Sequence, residues 1–159
     1  MFILKFMSTM RNFETIDDVI YFAIESEIQS VEFYNRLSLA ALEAETKLLF
    51  IRLMEEEKGH IVRLQYLLDH QLEAGIPQLS HSFAEEDYVP HVTPSPDVNV
   101  VEGLVIAIQK EKAAVRLYHD LAAESTKDDF KNVFLLLASD EEKHCKRFEN
   151  EYNALVLKN

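Results

Sequence analysis

Apolar residues recur every three to four positions through four stretches of this chain, and each stretch reads as an amphipathic helix. The first runs from about Thr15 to about Ala41 and puts Ile16, Ile20, Ala23, Val31 and Tyr34 on one face, with Thr15 and Asp18 at capping-box spacing. The second, from about Glu45 to Leu72, aligns Leu49, Phe50, Leu53, Leu64 and Leu67. The third opens on Asn99 and Glu102, a second capping pair, and carries Leu104, Ala107, Ile108, Val115, Tyr118 and Leu121. The fourth, from about Thr126 to Leu157, carries Phe130, Phe134, Leu137 and Phe148. The joins after the first and third helices are short, so each pair folds back antiparallel. Between the pairs, residues 73–98 hold all four prolines (Pro77, Pro90, Pro94 and Pro96), and a link of that length suits a crossover along a bundle. The pattern predicts a single all-α domain over 1–159: an antiparallel four-helix bundle of two repeated hairpins, about 15–72 and 99–157. The link has room for a short strand or helical turn, and its length permits exchange of halves between chains.

Three ionisable residues interrupt the apolar stripes of each half, six in all, and the halves are related by one offset of 84 residues. Glu27, Tyr34, Glu57 and His60 return as Glu111, Tyr118, Glu141 and His144, and Arg63 returns as Arg147. Each half is therefore a Glu followed, 30 residues on, by Glu-x-x-His. Glu27, Glu57, Glu111 and Glu141 stand where Leu or Ile would continue the stripe. A buried ionised carboxylate without a partner costs several kcal/mol. Four of them would consume the whole stability of a domain, about 5–15 kcal/mol. No Lys or Arg falls on the same stripes, so metal cations are the expected compensation. The i, i+3 spacing of Glu57/His60 and Glu141/His144 places a carboxylate and an imidazole one turn apart on one face. A helix of that kind can supply a bridging carboxylate and a terminal nitrogen, while Glu27 and Glu111 supply terminal carboxylates. Such a mixed oxygen and nitrogen set suits two iron or manganese ions, with zinc also compatible. Tyr34 and Tyr118 lie two turns from Glu27 and Glu111, either as core residues with a satisfied hydroxyl or as hydrogen-bond partners or electron relays beside the metals.

Composition narrows the function classes. A net charge of −12 argues against nucleic acid as a partner. One cysteine, Cys145, cannot form an intramolecular disulfide, which fits a reducing, cytoplasmic compartment and reads as a packed residue. The apolar opening Met1–Met7 is too short to span a bilayer and lacks the pattern of a secretory signal, so no membrane role is expected. His70, His81, His91 and His119 have no partner at ligand spacing and read as exposed or loop residues. Glu55, Glu56 and Glu142 fall off the stripe and read as solvated. Gly59 weakens its helix, and close helix packing is the expected reason.

At these positions the chain resembles the rubrerythrin-like branch of the ferritin-like di-iron carboxylate family. The resemblance spans about 15–150 and rests on Ala23-Ile24-Glu25-Ser26-Glu27, Glu32-Phe33-Tyr34, Glu57-Lys58-Gly59-His60, Ala107-Ile108-Gln109-Lys110-Glu111, Leu117-Tyr118 and Glu141-Glu142-Lys143-His144. It implies a ferritin-like bundle, a homodimer and iron, with Glu57 and Glu141 bridging two ions. It also implies peroxide reduction. Rubrerythrins proper carry a rubredoxin-like domain with paired CxxC motifs, which one cysteine cannot build, so electrons would come from an external donor such as a rubredoxin-type protein. They also carry an extra Glu beside the third-helix ligand. Here Ala107, Ile108, Ala114 and Val115 surround Glu111, which leaves a simpler site of four Glu and two His. Two other readings use the same ligands: a ferroxidase or dioxygen-activating centre, and a non-catalytic helical protein with structural metals.

Overall fold

The capping signals and apolar periods do produce four long helices in the computed structural model, which describes residues 11–71, 78–90, 92 and 94–158. The opening stretch Met1–Met7 and His91 lie outside the described residues. A short strand β1 (Asn12–Thr15) leads into α1 (Ile16–Ala40), then α2 (Ala44–Gln71), strand β2 (Gln78–Ala84), a 3-10 turn (Glu85–Tyr88), α3 (Val100–Glu124) and α4 (Asp128–Leu157). Both capping boxes form: Asp18 N–H donates to the Thr15 hydroxyl and Glu102 N–H to the Asn99 side chain, with both acidic side chains reaching back to the cap. Helix ends fall within two residues of the expected bounds.

Packing is most extensive within each hairpin, α1 on α2 and α3 on α4, and thinner between them, α1 on α3 and α2 on α4. The two hairpins thus meet along a seam through the bundle centre. Apolar side chains fill that seam at both ends. Tyr34, Leu37, Phe50, Leu53, Leu104 and Phe148 form one plug, in which the Phe148 ring lies 5.1 Å from Tyr34 and 5.8 Å from Phe50. Ile20, Leu64, Leu67, Tyr118, Phe134 and Leu137 belong to the other. The six polar stripe residues lie between the plugs.

The crossover carries both a strand and a helical turn. β2 pairs antiparallel with β1, Asn12 against Ala84 and Phe13 against Phe83, with an irregularity before Thr15. Phe13, Phe22, Phe83, Tyr88 and Leu117 join the core beneath this strap, so α1 and α3 each bury a second apolar face that a single inward stripe does not describe. Tyr88 donates to Asp120 (2.7 Å), and Ser80 donates to Glu124 through its N–H (2.8 Å) and hydroxyl (2.6 Å). Those bonds clip the strap to the C-terminal half of α3.

The expectation for Gly59 is not met. A Cβ added there meets nothing within 4 Å, whereas one added at Gly103 runs into the methyl groups of the buried Leu37. Gly103 is the glycine of close approach, between α3 and α1. Gly59→Ala should therefore raise unfolding stability by about 0.5–1 kcal/mol through helix propensity. Gly103→Ala should lower it by about 1–3 kcal/mol through overpacking. Urea denaturation of both variants checks the pair, and equal effects would sink the assignment. Among the described residues no helix is long and apolar enough to cross a membrane.

Candidate metal centre

Each helix brings one part of the site to the seam: Glu27 from α1, Glu57 and His60 from α2, Glu111 from α3, Glu141 and His144 from α4. All six are buried, none more than 3 % exposed. Their donor atoms form two groups, Glu27–Glu57–His60–Glu141 and Glu57–Glu111–Glu141–His144, each with its ligand atoms within 4.8 Å of one another. Glu57 and Glu141 belong to both groups. The terminal pair of each group comes from a single hairpin, and the shared pair comes from both.

The donor set fits a metal pair. Glu57 Oε2, His60 Nδ1 and both Glu141 oxygens are buried without a hydrogen bond. His60 Nδ1 nonetheless lies 2.8 Å from Glu57 Oε2 and 2.8 Å from Glu141 Oε1. These atoms are close but not aimed at one another, as expected of lone pairs converging on common points. Unmade hydrogen bonds of this kind are costly in a dry core unless a cation takes their place.

Electrostatics point the same way. Burial, and then the neighbouring carboxylates, hold Glu27, Glu111 and Glu141 well above the usual carboxyl range. Burial also works against ionised Glu57, but His144 and His60 outweigh it and draw its pKa below normal. Burial is the largest single influence on both imidazoles and lowers their pKa, but the carboxylates together outweigh it: Glu57, Glu111 and Glu56 bring His144 to about 9, and Glu57 with Glu27 raises His60. Without cations, Glu57 holds its charge against the two imidazoles while the other three carboxyls resist ionisation.

Around the six residues the contacts come in pairs related by the repeat. The Tyr34 hydroxyl donates to Glu111, and that of Tyr118 donates to Glu27, each tyrosine crossing to the other hairpin. Both tyrosines are fully buried, so the core reading and the hydrogen-bonding reading describe the same side chains. On the α2–α4 side, His144 Nε2 lies 2.8 Å from Glu56, which Arg147 holds at 2.8 Å. Likewise His60 Nε2 lies 3.7 Å from Asp140, which Arg63 holds at 3.1 Å. Each ring turns Nδ1 to the carboxylates and Nε2 to an outer acid, an arrangement that fixes ring orientation. Glu56 is solvent-exposed as expected, yet it also orients His144. Its equivalent across the repeat is Asp140, and that Glu-to-Asp pair beside the matched arginines was the signal available in the sequence.

Two further residues escaped the stripe pattern. Lys110 stands half-buried beside Glu111, and burial lowers its pKa against the opposing pull of Glu111, Glu27 and Glu57. Ser30 is buried on the same side of α1. The remaining expectations hold where they can be seen, except at His81. Glu55 pairs with Lys58, and Glu142 lies near His119, both at the surface. His70 approaches the Tyr66 carbonyl at 2.8 Å at the surface, whereas His81 falls in strand β2 and not in a loop. Cys145 is buried, and burial first, then Glu149, raises its thiol to about 11, so it is an unreactive packed residue.

Fold and site define a ferritin-like four-helix bundle with a carboxylate–histidine centre. The rubrerythrin family profile matches residues 102–158, the part that supplies Glu111, Glu141 and His144. The resemblance to the rubrerythrin-like branch thus stands on the second hairpin, and the first hairpin repeats its ligand spacing. No curated protein sequence matches the chain. Two solved structures share its fold. A hypothetical protein from Pyrococcus furiosus superposes with a TM-score of 0.73 at 22% identity, covering 90% of this chain and 91% of that one. A Thermotoga maritima protein described as a ferritin-like diiron-carboxylate protein superposes with a TM-score of 0.74 at 22% identity, covering 87% and 95%.

Proposed function

We propose that this chain is a di-iron oxidoreductase that reduces hydrogen peroxide, working as a homodimer in the cytoplasm with electrons from an external, rubredoxin-type donor. The observation that carries the reading is the pair of overlapping donor groups sharing Glu57 and Glu141, with four donor atoms left orphaned. The rubrerythrin profile on the second hairpin and the description of the Thermotoga maritima neighbour favour iron over zinc. Glu57 and Glu141 would bridge the ions, with Glu27 and His60 completing one position and Glu111 and His144 the other. Iron held by these six residues would supply the two electrons that, with two protons, convert hydrogen peroxide to two waters.

The chain's own part is positional. Tyr118 and Tyr34 hold Glu27 and Glu111 by their hydroxyls, so each terminal carboxylate is oriented from the opposite hairpin. Glu56 and Asp140, themselves held by Arg147 and Arg63, face Nε2 of the two imidazoles and keep Nδ1 directed inward. The apolar plugs above and below keep bulk water from the carboxylates.

The test is anaerobic loading of the full chain with two ferrous ions, then rapid mixing with peroxide or dioxygen while following the diferric absorbance. Faster oxidation by peroxide is the expected result. Oxidation as fast with dioxygen would replace the reading with a ferroxidase or oxygen-activating one. Absence of any site-dependent oxidation would leave a structural metal.

A further inference from the structure

The two sides of the centre are closed differently, although the repeat would make each side symmetric in itself. Across α2 and α4, Arg63–Asp140 and Arg147–Glu56 bar the way with two equivalent ion pairs. Across α1 and α3 there is instead a small polar chamber of about 100 Å³, roofed by Tyr88, Val89 and Pro90 of the crossover. Such a space admits only a few water-sized molecules. Three pairs of repeat partners stand in its walls, Glu27 with Glu111, Ser30 with Ala114, and Ser26 with Lys110. The last pair breaks the symmetry, because one ammonium stands where the repeat has a hydroxyl. Lys110 makes no hydrogen bond or ion pair among the described residues, although it shares the chamber wall with Glu27 and Glu111. It also lines a wider groove of about 550 Å³ outside the chamber, as do Gln29, Val89 and Pro90. Lys110 therefore stands at the junction between solvent and the centre.

We propose that this chamber admits and docks a small anionic or peroxidic ligand at the centre, and that Lys110 is the residue that positions it. The inference rests on the metal-centre reading above. Four glutamates line the chamber; Glu25 and Glu85 pair with Arg11, which leaves Glu27 and Glu111 to repel an anion approaching from this side. The Lys110 ammonium offsets that repulsion and donates a charge-assisted hydrogen bond to the atom facing away from the metal positions. The α2–α4 side has no equivalent, since its arginines are already engaged by Glu56 and Asp140. The size of the chamber limits the ligand to a few heavy atoms, as in hydroperoxide or azide, and excludes bulky organic hydroperoxides.

The test titrates azide into the iron-loaded full chain and follows the ligand-dependent absorbance, with iron content and thermal midpoint recorded for every variant. Lys110→Met should weaken azide about ten-fold or more, the scale of a hydrogen bond to a charged group. Lys110→Arg should recover most of the affinity. Lys110→Ser, which restores the residue type of position 26, provides a second loss variant. With peroxide, loss of Lys110 should raise the concentration giving half-maximal oxidation more than it lowers the limiting rate. Azide affinity within two-fold of wild type in both loss variants at full iron content would overturn the inference alone. A wild-type chain that takes up no iron would overturn the metal-centre reading, and this inference with it.

Discussion

Glu57→Ala and Glu141→Ala should each abolish the binding of two metal ions per chain. These two carboxylates belong to both donor groups, so removing either takes a ligand from each position at once. Glu27→Ala takes a ligand from one group only and should retain more metal. Metal analysis after anaerobic loading and desalting reads the difference, and two ions bound in both shared-ligand variants would sink the assignment. In the metal-free chain the two shared residues should part company. Glu57 holds its charge against His60 and His144, so Glu57→Ala breaks a buried ionic cluster and should cost about 3–5 kcal/mol. Glu141 has both oxygens buried without a hydrogen bond and a carboxyl that resists ionisation. Its removal relieves an unsatisfied group and should cost distinctly less.

Metal addition should raise the thermal midpoint on the order of 10 °C, because the folded chain alone presents all six donors together. A chelator should reverse the rise. The gain should shrink as pH falls, and the sign follows from the direction of the shifts. Loading needs neutral imidazoles and ionised carboxylates, whereas His144 keeps its proton up to about pH 9 and Glu27, Glu111 and Glu141 keep theirs above the ordinary carboxyl range. Metal must therefore displace protons, and a lower pH opposes it. Melting with and without zinc or manganese at about pH 6 and about pH 8 checks this with no redox step involved. A gain independent of pH would mean that ions bind somewhere other than this cluster.

The helices were legible because their signals are local. Apolar spacing of three and four and two capping pairs each lie within a few residues, and α1 and α3 begin where Thr15 and Asn99 place them. The crossover strand was not legible in detail, since the residues that decide it are far apart. Phe83 of β2 pairs with Phe13 of β1, and the apolar residues they cover, Phe22 and Leu117, read as off-stripe positions until the strap lies over them. Gly59 shows the same limit from within a helix. The close approach expected at Gly59 belongs to Gly103, because what a helix face meets is not written in its own segment.

The repeated Glu and Glu-x-x-His words marked the centre from composition and spacing alone, because a charge on an apolar stripe has to be compensated wherever the stripe ends up. Which atoms share a position is another matter. That Glu57 and Glu141 join both groups, that each tyrosine reaches the opposite hairpin's glutamate, and that Glu56 and Asp140 orient the imidazoles all depend on helix-to-helix placement. The open side between α1 and α3, with Lys110 at its mouth, depends on it too. Periodicity determines which face of a helix is buried, since it follows from the geometry of one helix. Contacts between helices arise only when the two hairpins close on their common seam, and there the chain assembles its chemistry.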